Sequence, residues 1–564
     1  MRILLLATAF NSLTQRVFAE LGDHGHELDL QLAESDEALR GAVARHDPEL
    51  VIAPMLTSAI PRDIWSAHTC LIVHPGPEGD RGPSSLDWAI QDGARNWGVT
   101  VLQAEDEMDA GPVWASVPCV LPARGKSDLY RNEIADAAME AVLLAVRRFA
   151  DGTYRPRGQS DPRPGTAIRS RPRMRQHTRR IHWESDPTET VLRKLRAADS
   201  QPGVRDELLG SGWFLHGGHA EEQLRGHPGE LLATRDGAIC RATVDGAVWI
   251  PQLRARRAPG APRTFRLPAT LALGERLPAL PEVEAPGPLD EQRRTWSEIS
   301  YREEASVGIL SFHFAAGAMS TDQCRRLVRA YRAACSRPTS VLVLGGMRDF
   351  FGNGIQLNVI EAATDPAAES WANIQAMDDL VEAVLTTTDR LTVAALGGNA
   401  AAGGAMLAQA ADEVWCRQGC VLNPHYRLMG LYGSEYWTYT LPRRTGQDTA
   451  ERLMREALPI STATAARLGL VDRVLDCAPE RFTTEVAQLA ADTATAPRTA
   501  RRVMGKKAAL ERQEALRPLQ AYRDAELAHM RRAFFDTQAP YHRLRSSFVR
   551  KQAQPADPAP GPVP

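Results

Sequence analysis

Residues 71–90 read LIVHPGPEGDRGPSSLDWAI: a short apolar run ending on His74, a turn rich in proline and glycine, and an amphipathic stretch opening after paired serines. A strand that passes through a loop into a helix is the repeating unit of an α/β sheet domain. The text on both sides repeats it. Apolar runs RILLLAT (2–8), LVIAPML (50–56) and GVTVLQA (98–104) alternate with helical stretches, the longest at 127–150. Residues 1–160 are therefore expected to fold as an α/β domain on a largely parallel sheet. RILLLAT runs straight into polar text without a cleavage-like spacing of small residues, so it reads as a first buried strand rather than a signal segment.

A chain of 564 residues exceeds what one hydrophobic core supports, and the text divides accordingly. The Pro- and Arg-rich stretch 154–175 closes the first domain. Strand-sized pieces with turn glycines, HPGELLATRDGAICRATVDGAVWIPQL (227–253), make 178–275 a small β-rich, OB-like module. The proline-rich text of 276–298 reads as a linker, and 299–550 returns to strands alternating with amphipathic helices, a second α/β domain. The polar, proline-rich 551–564 is expected to be a disordered tail.

With 67 basic and 69 acidic residues the formal charge is −2, which argues against nucleic acid as the partner. The basic cluster Arg169–Arg180 is read as linker decoration. No apolar run reaches the length of a membrane span, and the eight cysteines are scattered, as in a reduced cytoplasmic protein. Cys416 and Cys420 lack the second ligand pair that a zinc site needs, so no metal is expected.

Two places carry chemistry. His74 ends a strand and Asp109 follows about one supersecondary unit later in EMDAG, so the two side chains can meet above the strand ends, as a proton relay or as a satisfied structural pair. In the second α/β domain, FFGNGI (350–355) and GNAAAGGAMLAQAAD (398–412) are glycine turns that each end a strand and open a helix. Free N–H groups at two such turns can converge on one oxygen.

The stretch 71–116 resembles the folate-dependent formyltransferases in its strand-end His, its WAI…GVT text and its D-x-G turn. The resemblance implies that His74 is the general acid/base beside the formyl group and that Asp109 positions the water or proton. It makes the MLTSAIP segment, with Met55 and Leu56, the backbone that holds the pterin. The β-rich module resembles the C-terminal domain of methionyl-tRNA formyltransferase, so the likeness spans about 1–275. One position departs: the family has Asn two residues before the His, and this chain has Ile72. A lost oxyanion donor suits a more reactive acceptor, a thiol rather than an amine.

The glycine turns resemble the crotonase (enoyl-CoA hydratase) superfamily, whose paired N–H groups on a thioester carbonyl carry over to Ile355 and Gly403. The hydratases' two glutamates do not carry over. One falls on Met406 and the other on or next to His425, so hydration of a double bond is not expected. NPHYRLMGLYGSEYWTY (423–439) fills that pocket instead, with Glu435 and Tyr426 as candidate proton carriers.

Both halves together, in this order, resemble the HypX/HoxX-type hydrogenase maturation proteins. That resemblance implies formyl transfer from 10-formyltetrahydrofolate to coenzyme A, then decarbonylation of formyl-CoA to the carbon monoxide ligand of a NiFe-hydrogenase. The partners it implies are small-molecule substrates and hydrogenase maturation proteins, with no nucleic acid and no membrane. Arg543 and Arg545 in the last helix, and Arg131 and Gln15 by chain position, are candidates for coenzyme A. Two other readings remain: an amine N-formyltransferase carrying an inert crotonase fold, and a non-catalytic scaffold that binds folate and coenzyme A.

Overall fold

Four apolar runs of the N-terminal third become neighbouring strands because each can be covered on both faces by helices. A computed structural model describes residues 1–159, 168–285 and 293–552, and these form two units. The first comprises Met1–Arg256, Pro268–Ala285 and Arg293–Trp296; the second comprises Arg257–Leu267 and the chain from Ser297 onward.

In the first unit the strands are β1 (Arg2–Ala7), β2 (Glu27–Leu32), β3 (Leu50–Met55), β4 (Cys70–His74), β5 (Asp80–Arg81), β6 (Asn96–Gln103), β7 (Val113–Val120) and β8 (Arg169–Ser170). Six of them form a sheet in the order β2-β1-β3-β4-β6-β7. The pairs β1–β2, β1–β3 and β3–β4 are parallel, whereas β4–β6 and β6–β7 are antiparallel. The expected parallel sheet thus turns antiparallel at one edge, since residues 104–112 are too few for a crossover. The helix Glu133–Asp151 lays Ala138, Ala141, Val142 and Ala145 on the sheet, small residues that let it pack closely.

The β-rich module continues with β9 (Val204–Leu208), β10 (Ser211–His216), β11 (His219–Glu221), β12 (Leu231–Arg235), β13 (Ala238–Ala242), β14 (Ala247–Ile250), β15 (Gln252–Ala255) and β16 (Arg266–Pro268). They form two four-stranded sheets, β16-β15-β10-β9 and β11-β14-β13-β12, around Trp213, Leu215, Ile239, Val248 and Leu253. Residues expected as linker are packed here. The Val283 N–H donates to the Thr234 carbonyl, and Trp296 is buried beside Trp249. Prolines suited this extended edge because their missing N–H groups are not needed there.

The second unit has β17 (Ile299–Glu304), β18 (Val307–Phe312), β19 (Val341–Gly345), β20 (Leu391–Leu396), β21 (Ala400–Ala401), β22 (Glu413–Arg417), β23 (Val421–Asn423), β24 (Ile460–Ser461) and β25 (Arg473–Leu475). The main sheet runs β17-β18-β19-β20-β22-β25, parallel from β18 onward, and β21-β23-β24 form a smaller one. Helices at Arg498–Leu516, Leu519–Phe535 and Pro540–Arg550 complete it. Among the described residues no helix is long and apolar enough to cross a membrane. Most of the stretch expected as a disordered tail, from 553 on, lies outside the described residues.

Candidate active sites

β4 delivers His74 to the rim of the first sheet, where the chain turns sharply through Pro75 and Gly76. The loop is fixed by its carbonyls. Trp97 Nε1 and Ser85 Oγ donate to Pro75 O at 2.9 and 3.0 Å, and Thr100 Oγ1 donates to Gly76 O at 2.9 Å. Asp109 arrives from the β6–β7 connection in a left-handed conformation (φ 58°), held by the Gly82 N–H on Oδ2 at 3.0 Å. Its Oδ1 lies 3.6 Å from His74 Nδ1, so the chain does bring the expected pair together, both side chains at most 10% exposed.

A second carboxylate was not foreseen. Asp80 Oδ2 lies 3.1 Å from His74 Nε2, and the side chains of both are about 5% exposed. Arg171 approaches the other oxygen of Asp80 at 4.0 Å and pairs with Asp92 at 2.6 Å. The Arg169–Arg180 cluster is therefore not linker decoration: β8 pairs with β5, and Arg179 is buried in an ion pair with Asp87.

Ile72 is half-buried, two residues before His74 and on the same face of β4. Met55 ends β3 with its carbonyl already accepting from the Thr8 N–H at 2.9 Å, and Leu56 packs against the apolar core. Gln15 turns its amide back onto Phe10 O at 2.9 Å, and the helix that carries it packs against the helix ending at Arg131.

In the second unit the two glycine turns touch: the Ala401 N–H donates to Gly352 O at 2.8 Å, and a β-carbon at Gly404 would fall 2.1 Å from the Gly352 carbonyl carbon. Gly403 opens the helix Gly403–Gln409, and among the described residues neither its N–H nor that of Ile355 meets a backbone acceptor. These two expected donors thus lie on adjoining turns. Met406 is buried one turn further along this helix.

Glu435 comes to the same place. Its Oε2 accepts from Tyr426 Oη at 2.8 Å and from the Ser434 N–H at 3.0 Å. Glu435 and Tyr436 are both left-handed, with φ of 61° and 59°, a costly pair for residues with side chains. Two buried carboxyls hold them. Asp378 accepts from the Glu435 N–H at 2.8 Å and from Ser434 Oγ, while Glu526 accepts from the N–H groups of Tyr436 and Thr438. Burial, reinforced by the charge of Asp378, pushes Glu435 up to about 8, and the Tyr426 hydrogen bond opposes this. Burial likewise raises Asp378 to about 7, against the pull of Arg523, and Glu526 to about 8. It lowers the His425 imidazole to about 4 and holds the Tyr426 phenol well above its usual range.

Of the residues expected at coenzyme A, Arg543 is exposed, but Arg545 is not free for a phosphate. Its Nε donates to Glu361 Oε2 at 2.9 Å, both side chains under 10% exposed. Among the described residues no cluster of three or more His, Cys, Asp or Glu side chains could hold a metal ion.

Three family models match the chain in succession: formyl transferase over residues 11–146, formyl transferase C-terminal domain over 173–263, and enoyl-CoA hydratase/isomerase over 305–552. The chain is 46% identical over 557 residues to the hydrogenase maturation factor HoxX of Bradyrhizobium diazoefficiens, covering 98% of this chain and 95% of the relative. It belongs to the HoxX/HypX family of hydrogenase maturation factors. A solved HoxX/HypX relative, HypX from Aquifex aeolicus in complex with tetrahydrofolic acid, is 42% identical with a TM-score of 0.93 over 98% of this chain and 97% of that one. The formyltransferase part of this HoxX/HypX chain is 28% identical over 212 residues to methionyl-tRNA formyltransferase of Salinispora tropica, covering 36% of this chain and 63% of that relative.

Proposed function

We propose that this HoxX/HypX-family chain makes the carbon monoxide ligand of a NiFe-hydrogenase in two steps. At the first site the thiol of coenzyme A takes the formyl group of 10-formyltetrahydrofolate, with His74 and Asp109 moving the thiol proton toward the departing N10. Folate as donor is supported by the tetrahydrofolic acid bound to the Aquifex relative and by the formyltransferase match. Coenzyme A rests on the crotonase likeness of the second unit. Cytoplasmic location and contact with other hydrogenase maturation proteins belong to the same proposal.

At the second site the formyl thioester carbonyl sits against the N–H groups of Ile355 and Gly403. The C–S bond breaks, the Glu435–Tyr426 pair protonates the departing sulfur, and the formyl C–H proton returns to that pair as CO leaves. The observation that carries this reading is the placement of the Glu435 carboxyl beside Gly403, buried, hydrogen-bonded to Tyr426 and raised to about 8, so that it keeps its proton at neutral pH. Met406, buried and apolar where a hydratase-like chain would carry a glutamate, removes one of the two hydratase bases and favours a dry pocket.

The test is to supply ¹³C-formyl-labelled 10-formyltetrahydrofolate with and without coenzyme A, trapping gas with a haem protein and measuring formate alongside. Coenzyme A-dependent ¹³CO supports both steps. Label found only in formate or in a formylated amine retires the CO reading.

A further inference from the structure

His74 meets a carboxylate at each ring nitrogen, and only the one at Nδ1 is explained by the formyltransferase resemblance. We propose that Asp80 is a positioning residue for formyl transfer: it fixes a proton on His74 Nε2, so that the proton taken from the acceptor and given to N10 travels through Nδ1. This rests on the first step of the proposed function and extends it to a residue outside the His–Asp pair.

The contact is built from several directions. Gly76 lies against both partners, since a β-carbon there would be 2.5 Å from His74 Nε2 and 2.6 Å from Asp80 Oδ2. Asp80 is gripped on both sides by the β5–β8 ladder, in which the Arg169 N–H donates to Gly79 O at 2.8 Å and the Arg171 N–H to Arg81 O at 2.9 Å. Gly82 follows with φ 118°, and a β-carbon there would strike the Arg171 carbonyl oxygen at 2.1 Å. Two glycines without room for a side chain and a short ladder all serve the position of one buried carboxylate.

The chemistry follows from what each group can do. Asp80 Oδ2, at 3.1 Å, is within hydrogen-bond reach of Nε2 and can only accept, whereas Asp109 Oδ1, at 3.6 Å, is beyond that reach of Nδ1; the resting proton is therefore held on Nε2, and Nδ1 is open to the proton that the Asp109 charge attracts. When the thiol S–H proton moves to Nδ1, the imidazolium lies between two carboxylates, with Arg171 on the far oxygen of Asp80. The S–C bond forms, the C–N10 bond breaks, and the proton passes from Nδ1 to N10; nothing is oxidised or reduced. An orienting carboxylate of this kind stabilises charge on the ring as it forms, which offsets the amide donor that Ile72 does not provide.

The test uses the full chain with Asp80→Asn, and Gly76→Ala as a second route to the same displacement, following consumption of 10-formyltetrahydrofolate against pH. Both variants are expected to lose about 10²–10³-fold in kcat with KM for the folate changed less than about 2-fold, and to shift the pH profile. ¹⁵N NMR of histidine-labelled protein, with His74→Gln to assign the resonance, should show the Nε2–H tautomer in the wild type and a mixture in Asp80→Asn. An unchanged kcat, a loss confined to KM, or an unaltered tautomer overturns the proposal. If the wild type hydrolyses 10-formyltetrahydrofolate but transfers nothing to coenzyme A, the acceptor reading fails while Asp80 is still scored on hydrolysis. If it consumes none, the tautomer in the tetrahydrofolate complex decides.

Discussion

A β-carbon at Gly403 would lie 2.1 Å from Glu435 Oε1 and 2.7 Å from its carboxyl carbon. The glycine therefore serves two purposes, a free N–H for the thioester oxygen and empty space for the acid. Gly403→Ala keeps the N–H but puts a β-carbon where the Glu435 carboxyl sits, so it is expected to cut CO release by about 10²-fold or more, as loss of a general acid does, while formyl transfer to coenzyme A proceeds. Measuring formyl-CoA and CO separately checks this; equal loss of both would place the defect in folding.

Two neighbours push the Glu435 acid in opposite directions, and their removal should do the reverse. The alkaline limb of CO release is expected at about 8 in the wild type. Tyr426→Phe removes a hydrogen bond that favours the carboxylate and should move the limb upward, whereas Asp378→Asn removes a negative charge and should move it downward. Limbs moving the same way would mean that another group is being titrated.

Burying raised carboxyls also makes the second unit unusual in its stability. Asp378, Glu435 and Glu526 bind protons more tightly folded than unfolded, so their stabilisation is complete at low pH and is lost as pH rises toward about 8. His425 acts the other way, losing stability as pH falls from its ordinary range toward about 4. Above pH 6.5 only the carboxyls act, and each contributes a slope of up to about 1.4 kcal/mol per pH unit. Tm should fall between pH 6.5 and 8, and Glu526→Gln should flatten the fall; a Tm that climbs over this range would contradict the burial argument.

Ile72→Asn restores an amide donor two residues before His74. It is expected to raise formyl transfer to amine acceptors and to leave transfer to a thiol unchanged, read from competing acceptors in one reaction. The reverse pattern would remove the thiol argument.

The Arg545–Glu361 pair is structural. Arg545→Ala should destabilise by about 1–3 kcal/mol, because the buried Glu361 carboxylate then keeps only its 3.3 Å pair with Arg550, and Arg545→Met with Glu361→Leu should recover much of that. Denaturant midpoints decide. Weakened coenzyme A binding without loss of stability would restore Arg545 to the phosphate.

The strand-end His74, the Asp109 turn and the paired glycine turns were legible because local text announces them: an apolar run that stops on a polar residue, or glycines where no side chain fits. The antiparallel edge made by β6 and β7 was not, since GVTVLQA has the same apolar signature in either direction. Asp80 lay inside the motif read first and was still missed. Its role depends on pairing with Arg169–Ser170, about 90 residues away, in text whose prolines and arginines look like loop. Asp378 and Glu526 sit mid-helix, and only the fold reveals that both hold the turn at Glu435.

The β5–β8 ladder carries the surroundings of His74 beyond the family-model match that holds His74 and Asp109. Residues 11–146 match a family model by themselves, yet the strand that shapes the Asp80 loop is at Arg169–Ser170, beyond that match. A stretch ending at Asp151 contains all six strands of the first sheet, His74 and Asp109 but not Arg169–Ser170, so a module cut there would pass between genes without the strand that pairs with Asp80.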